Sequence, residues 1–130
     1  MFAHLTLPTQ HVEATASFLE RTFGYPRKPV PANSPVAVAW FDIGQGQELH
    51  VIFVEGFACS PHEAEFGRHV ALFHPQEDFH ALRERVLAEG GELIEPLRAT
   101  DFRRFFFQEP VNGYLFEVIE LARHQELRGA

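Results

Sequence analysis

The sequence predicts an α+β protein built from one unit used twice, and three observations carry that prediction. Gly46-Gln47-Glu48-Leu49-His50-Val51-Ile52 and Gly113-Tyr114-Leu115-Phe116-Glu117-Val118-Ile119 share the pattern Gly-x-x-apolar-ligand-Val-Ile, 67 residues apart. His4 and His69 hold the same place in two apolar segments 65 residues apart. Each of those segments runs into a proline, Pro8 or Pro75, and then into a helical pattern. Self-similarity at a fixed period marks a repeated supersecondary unit. The order reads strand, helix and three further strands, twice.

Each element has a local reason. Phe2 to Leu7 alternates and reads as a strand, and Thr9 is placed to cap the helix that follows. Val12, Ala14, Phe18, Leu19 and Phe23 recur near helical spacing, and Gly24 suits the helix end. Tyr25 to Val30 is a short edge strand interrupted by proline. Val36 to Ile43 and Glu48 to Val54 are strands joined through Gly44-Gln45-Gly46, which predicts a hairpin. Residues 56–66 lack periodicity and read as a linker between a first module, 1–55, and a second, 67–121. In the second, Arg68 to Phe73 is a strand. Gln76 to Glu89 is a helix with Phe79, Leu82, Val86 and Leu87 on one face, stopped by Gly90-Gly91. Strands over Glu92 to Leu97, Phe102 to Gln108 and Tyr114 to Leu121 complete it. Residues 122–130 read as a charged tail.

Bulk properties bound the function. A chain of 130 residues buries roughly two-thirds of its unfolded surface and needs no covalent staples. Its net charge of −7 opposes binding to nucleic acid or an anionic membrane. The single cysteine, Cys59, forms no internal disulfide and asks for no oxidising compartment. No basic segment leads into an apolar run at the N-terminus, and no apolar run approaches 18 residues, so the expectation is a cytoplasmic protein. Fourteen Phe residues imply a bulky core or an apolar pocket.

The repeat also places chemistry. Each unit offers one potential ligand from its first strand, His4 or His69, and one from its last, His50 or Glu117. Glu117 stands among apolar residues, where an unpaired charge costs several kcal/mol, so it calls for a cation or a metal. Three imidazoles and a carboxylate suit zinc, nickel, cobalt, iron or manganese. By period-two counting, Thr6 and Glu48 share the ligand faces of their strands, Thr6 as a substrate hydrogen-bonding group and Glu48 as a general base. Arg103 and Arg104 point to opposite faces, so one of them enters the site, and Arg103 is the candidate for an anionic substrate. Phe105 to Phe107 read as core. His11, His62, His74, His80 and His124 read as surface residues.

The segments His4-Leu5-Thr6-Leu7, Gly46 to Ile52, Gly67-Arg68-His69-Val70-Ala71 and Asn112 to Glu117, in this order and spacing, resemble the vicinal oxygen chelate superfamily. That group contains glyoxalase I, methylmalonyl-CoA epimerase, fosfomycin-resistance thiol transferases, extradiol dioxygenases and bleomycin-binding proteins. The resemblance runs to about Leu121. It implies two βαβββ modules whose curved mixed sheets form a cup around a divalent metal, with His4, His50, His69 and Glu117 as ligands. It further implies an enzyme on a small substrate chelated through two oxygens, with lyase or isomerase chemistry through an enediolate first and Glu117 and Glu48 as catalytic groups. A fosfomycin-type thiol transferase, an extradiol-type dioxygenase and a bleomycin-like binding protein are the alternatives. His50 departs from the carboxylate of glyoxalase I and from the open position of extradiol enzymes. Members of this length commonly pair, and one helix per sheet leaves apolar surface to cover, so a homodimer is expected. In it, His4 and His50 of one chain would meet His69 and Glu117 of the other.

Overall fold

The structure is a computed structural model that describes residues 1–122; the charged tail read at 122–130, with His124, lies outside the described residues apart from Ala122. The elements run β1 (His4–Thr9), α1 (Val12–Thr22), β2 (Arg27–Lys28), β3 (Val38–Gly44), β4 (Gln47–Phe53), β5 (Val70–Pro75), α2 (Gln76–Ala88), β6 (Glu92–Ile94), β7 (Arg104–Gln108) and β8 (Leu115–Leu121). They form two four-stranded mixed sheets, in the orders β1-β4-β3-β2 and β5-β8-β7-β6. In each, the first and last strands of the unit pair in parallel and the others antiparallel. The predicted α+β repeat of strand-helix-three strands is the fold observed, and the chain divides between Cys59 and Ser60.

In the first unit, alternation decides which face is covered. Leu7 and Thr9 of β1, Ala39 and Phe41 of β3, and Leu49 and Val51 of β4 are buried. They share their core with Val12, Ala16, Phe18 and Leu19, the buried stripe of α1. The opposite face of the same strands carries His4, Thr6, Trp40, Glu48 and His50, all exposed or half-buried. The β3–β4 hairpin turns through Gln45 and Gly46, both at positive φ, 55° and 74°. A two-residue loop with this sign at both positions matches the twist of the strands it joins.

Two local expectations shift. Helix α1 begins at Val12 with His11 as its cap residue, not at Thr9. The Thr9 hydroxyl instead accepts from the His11 N–H at 2.9 Å, forming the turn that leads into the helix. Ala14 is exposed, and Thr15 and Ala16 take the buried positions. At the other end, Gly24, at φ 74°, donates its N–H to the Leu19 carbonyl and closes the helix as predicted.

In the second unit, Phe79, Leu82 and Val86 of α2 are buried over a sheet face that includes Phe105, Phe107, Phe116 and Val118. Leu87 is exposed, because the helix already buries one residue per turn at 79, 82 and 86 and Leu87 lies round the side. His74, read from the sequence as a surface residue, is buried at 6% exposure. It follows Leu72 by two along β5 and so faces the core, where its Nε2 lies 2.9 Å from Asp78. The β7–β8 turn is held by Glu109, a buried carboxylate that accepts the N–H groups of Val111, Asn112 and Tyr114.

The segment read as a linker belongs largely to this second unit. Glu63 forms a bridge with Arg68 and accepts the Leu115 N–H at 2.7 Å. Glu65 accepts from the N–H groups of Leu97 and Arg98. The segment lacks apolar periodicity because its carboxylates hold it down.

Candidate functional site

Strand register preserves the repeat at the expected positions. Thr6 pairs with His50 across β1 and β4, and Ala71 pairs with Glu117 across β5 and β8. His4 lies two residues before Thr6, and His69 two before Ala71. On the antiparallel side, His50 pairs with Trp40 and Glu117 with Phe106. Each first-strand histidine and each last-strand ligand candidate therefore holds the same slot in its own sheet.

In the first unit three rings stack across neighbouring strands. His4 lies 3.9 Å from His50, centroid to centroid, with planes 13° apart. Trp40 lies 4.2 Å from the other side of His50, 4° from parallel. His50 Nε2 is 2.8 Å from Glu48 Oε1, and the second oxygen of Glu48 takes Lys28 Nζ. The hydrogen bond from His50, then that from Lys28, hold the Glu48 carboxyl below its ordinary range. An ionised carboxylate only accepts, so Nε2 carries the proton of a neutral His50 and leaves Nδ1 bare. Both oxygens of Glu48, the expected general base, are thus engaged. Thr6 lies on the same face, exposed, and its hydroxyl has no partner among the described residues.

In the second unit Glu117 is buried at 6% exposure. Its Oε1 lies 3.1 Å from His69 Nε2, and its Oε2 accepts from Arg104 at 2.9 Å. His69 Nδ1 lies 3.2 Å from the Ala64 carbonyl. A carbonyl cannot donate, so Nδ1 holds a proton and Nε2 is the nitrogen turned toward the carboxylate. Two acceptors so placed require a cation between them, either a second ring proton or a metal ion. Arg104 continues to Glu65 at 3.1 Å and to the Arg98 carbonyl at 2.5 Å. Burial pulls the Arg104 guanidinium down, but Glu117 and Glu65 outweigh it and the net direction is up. Burial likewise pushes Glu65 up, and its bonds from Leu97, Arg98 and Arg104 bring it below the ordinary value. Beside this network, Glu63, Glu65, Leu97, Phe106 and Leu115 line a cavity of about 260 Å³.

Metal chemistry can be tested against these donors. Neighbouring ligands on a divalent ion, with bonds of about 2.1 Å, lie about 3.0–3.4 Å apart. His69 Nε2 and Glu117 Oε1, at 3.1 Å, meet that spacing. Their outer partners, a carbonyl on the far ring nitrogen and an arginine on the far oxygen, are those that orient metal ligands. In the first unit, a ligating imidazole holds its ion in the ring plane. Planes stacked as those of His4 and His50 do not meet at one ion, so this arrangement presents only one of the two rings. Among the described residues, no three His, Cys, Asp or Glu side chains gather as a metal group within the chain.

Of the two neighbouring arginines, Arg104 is the one on Glu117. Arg103, the sequence-based substrate candidate, lies on the helix side of the sheet, over the Phe79 ring at 5.4 Å and 3.4 Å from Glu120. Phe106 faces the site, with its ring 5.3 Å from His69, while Phe105 packs against Phe79 of α2. Sequence reading singled out neither Trp40 and Lys28 nor Glu65. Trp40 alone carried a signal, since it falls on the same face as His50 once the Gly44–Gly46 hairpin is registered.

The fold and these sites define an α+β chain with two repeated sheets, each presenting a pair of candidate donor side chains on the face opposite its helix. The family model for the glyoxalase/bleomycin resistance protein/dioxygenase superfamily matches residues 1–118, and the chain belongs to that family. No curated protein matches the chain. Among solved structures it resembles a mutant of the fosfomycin resistance protein FosX from Listeria monocytogenes, complexed with Mn(II) and 1S,2S-dihydroxypropylphosphonic acid. The TM-score is 0.75 at 19% identity, covering 92% of this chain and 91% of that one. FosX from Mesorhizobium loti gives 0.69 at 20% identity, covering 92% and 90%. A protein assigned to the glyoxalase family from Bacillus anthracis gives 0.67 at 23% identity, covering 90% and 89%. Among the described residues, no helix is long and apolar enough to cross a membrane.

Proposed function

We propose that the chain is a divalent-metal enzyme acting on a small substrate that offers two oxygens to the ion. The observation that carries this reading is His69 Nε2 aimed at Glu117 Oε1 at 3.1 Å, with Ala64 and Arg104 fixing the outer atoms. His69 and Glu117 hold the ion together with His4, which supplies the imidazole of the first unit. Zinc, nickel, cobalt, iron and manganese all suit two imidazoles and a carboxylate. When bound, the metal supplies Lewis acidity for charge developing on substrate oxygen.

The chain's own residues do the rest. Arg104 donates to Glu117 Oε2 and aims the carboxylate. Glu48, tied to Lys28, holds the His50 ring, which braces His4 on one face and is backed by Trp40 on the other. Thr6, beside His50 with a free hydroxyl, hydrogen-bonds the substrate. Lyase or isomerase chemistry on an α-hydroxycarbonyl type of substrate is the first reaction class. A phosphonate substrate is the second, favoured by the likeness to FosX, whose bound ligand is a vicinal diol carrying a phosphonate.

A homodimer joining the first unit of one chain to the second of its partner would complete the three-ligand set twice. Mixing unfolded His4→Ala and Glu117→Ala chains and refolding them together tests this. Recovered metal binding supports the shared site, and none contradicts it. For the reaction itself, solvent deuterium entering the α-position of substrate only with metal present supports the isomerase class. Metal-dependent turnover of an epoxyphosphonate without such exchange moves the assignment to the second class.

A further inference from the structure

The second unit holds another cavity, of about 490 Å³, beside α2 and under the chain from Glu95 to Arg103. Its lining is basic in an acidic protein. Arg83, Arg98, Arg103 and Arg104 all border it, four of the eleven Lys and Arg residues in a chain of net charge −7, and His80 joins them. Glu95 is the one carboxylate among its lining residues.

The cations there are weakly committed. Arg98 is exposed, and its guanidinium has no partner among the described residues. Among the described residues Arg83 reaches only its neighbour Glu84, at 3.7 Å. Arg103 lies over Phe79 and makes long contacts, 3.4 Å to Glu120 and 3.5 Å to His80 Nδ1. Arg104 also borders the cavity, but its guanidinium is committed to Glu117 and Glu65 on the other face of the sheet. The floor is apolar, formed by Phe79 and Phe105, and the volume lies in the range of small-molecule sites.

We propose that this cavity is a binding site for a small organic oxyanion carrying an aromatic or apolar group. Arg98, Arg83 and Arg103 take the anionic head, with guanidinium forks suited to phosphate or carboxylate. Phe79 and Phe105 take the apolar part. The site is separate from the proposed metal centre, because the three outer arginines touch neither His69 nor Glu117.

Titration calorimetry on the whole protein tests it, with phenyl phosphate and benzoate as probes, inorganic phosphate for the head alone, and phenol as the uncharged control. Saturable binding of phenyl phosphate or benzoate is expected, weakening as salt is added, with phenol at least tenfold weaker. The probe that binds tighter tells phosphate from carboxylate. Arg98→Ala and Arg83→Ala should each weaken binding about tenfold, the loss expected for one charge-assisted hydrogen bond. Metal binding should stay unchanged in both, and Arg98 has no partner whose loss would unfold the protein. Chelator treatment should leave probe binding intact. The proposal is overturned by absence of saturable binding, by equal affinity in the Arg98→Ala/Arg83→Ala double variant, or by binding that disappears with chelator.

Discussion

The slot that holds His50 in the first unit holds Glu117 in the second, and the two sheets treat it differently. Around His50 the face is open, and the ring is held by stacking and by one hydrogen bond that it donates to the half-buried Glu48 carboxylate. Around Glu117 the chain's own 60–66 segment helps close the face, and a buried arginine neutralises the charge. A neutral ring tolerates solvent on one side, whereas a carboxylate among aromatic residues needs a cation wherever it is placed. The repeat has kept backbone register at this slot and let the chemistry of the two halves diverge.

The contrast can be broken first at its most buried point. Arg104→Ala leaves Glu117 buried without its guanidinium and should destabilise the protein by about 3–5 kcal/mol. Chemical denaturation reads this, and a loss below about 1 kcal/mol would mean that Glu117 is not buried as described. Next, the two histidines of the stack should separate. His4→Ala should weaken divalent metal binding more than about 100-fold, and His50→Ala, proposed to act as an orienting neighbour, about 10-fold or less. Equal losses by calorimetry would return His50 to the ligand set.

How much of this was legible follows from what each residue announces locally. The repeat, the strand order and the strand positions of His4, His50, His69 and Glu117 were legible because period two and the paired Gly-x-x-apolar motifs survive in both halves. Arg104 was only half legible. Alternation says that residues 103 and 104 face opposite ways, but the face that carries Glu117 depends on the β7–β8 register, set by a turn built on Glu109. The 60–66 segment was not legible, since Glu63 and Glu65 serve backbone N–H groups 52 and 32 residues away in sequence. His74 was misjudged by residue type, although its spacing from Leu72 carried the correct signal. The stack of Trp40, His50 and His4 depends on rotamers that no spacing encodes.

Smaller effects sharpen the same contrast. Lys28→Ala breaks a solvent-screened pair with Glu48 and should leave stability nearly unchanged, against the larger loss at Arg104. Asp78 contributes to the acid sensitivity of the second unit. Arg85, and then His74, hold its folded-state pKa at about 2, below its ordinary value. A depressed carboxyl stabilises the fold above its unfolded pKa and loses that contribution as pH falls from about 4 to 2. Because Asp78 is 41% exposed, solvent screening keeps the effect below about 1 kcal/mol. Asp78→Asn should flatten stability against pH in that window and leave it unchanged at pH 7 to 8 relative to its own plateau. An unaltered acid slope would show that other carboxylates set it.

The central claim is that Glu117 and His69, with His4, hold a divalent ion, and the most direct measurement is metal content after equilibrium dialysis against Mn(II), followed by elemental analysis. The native chain should retain about one ion per chain. Glu117→Gln, which keeps the side chain's size and removes its charge, should retain at least tenfold less at the same free metal, while circular dichroism shows the fold intact. Equal occupancy in the native and Glu117→Gln proteins, or none in the native protein, would contradict the account.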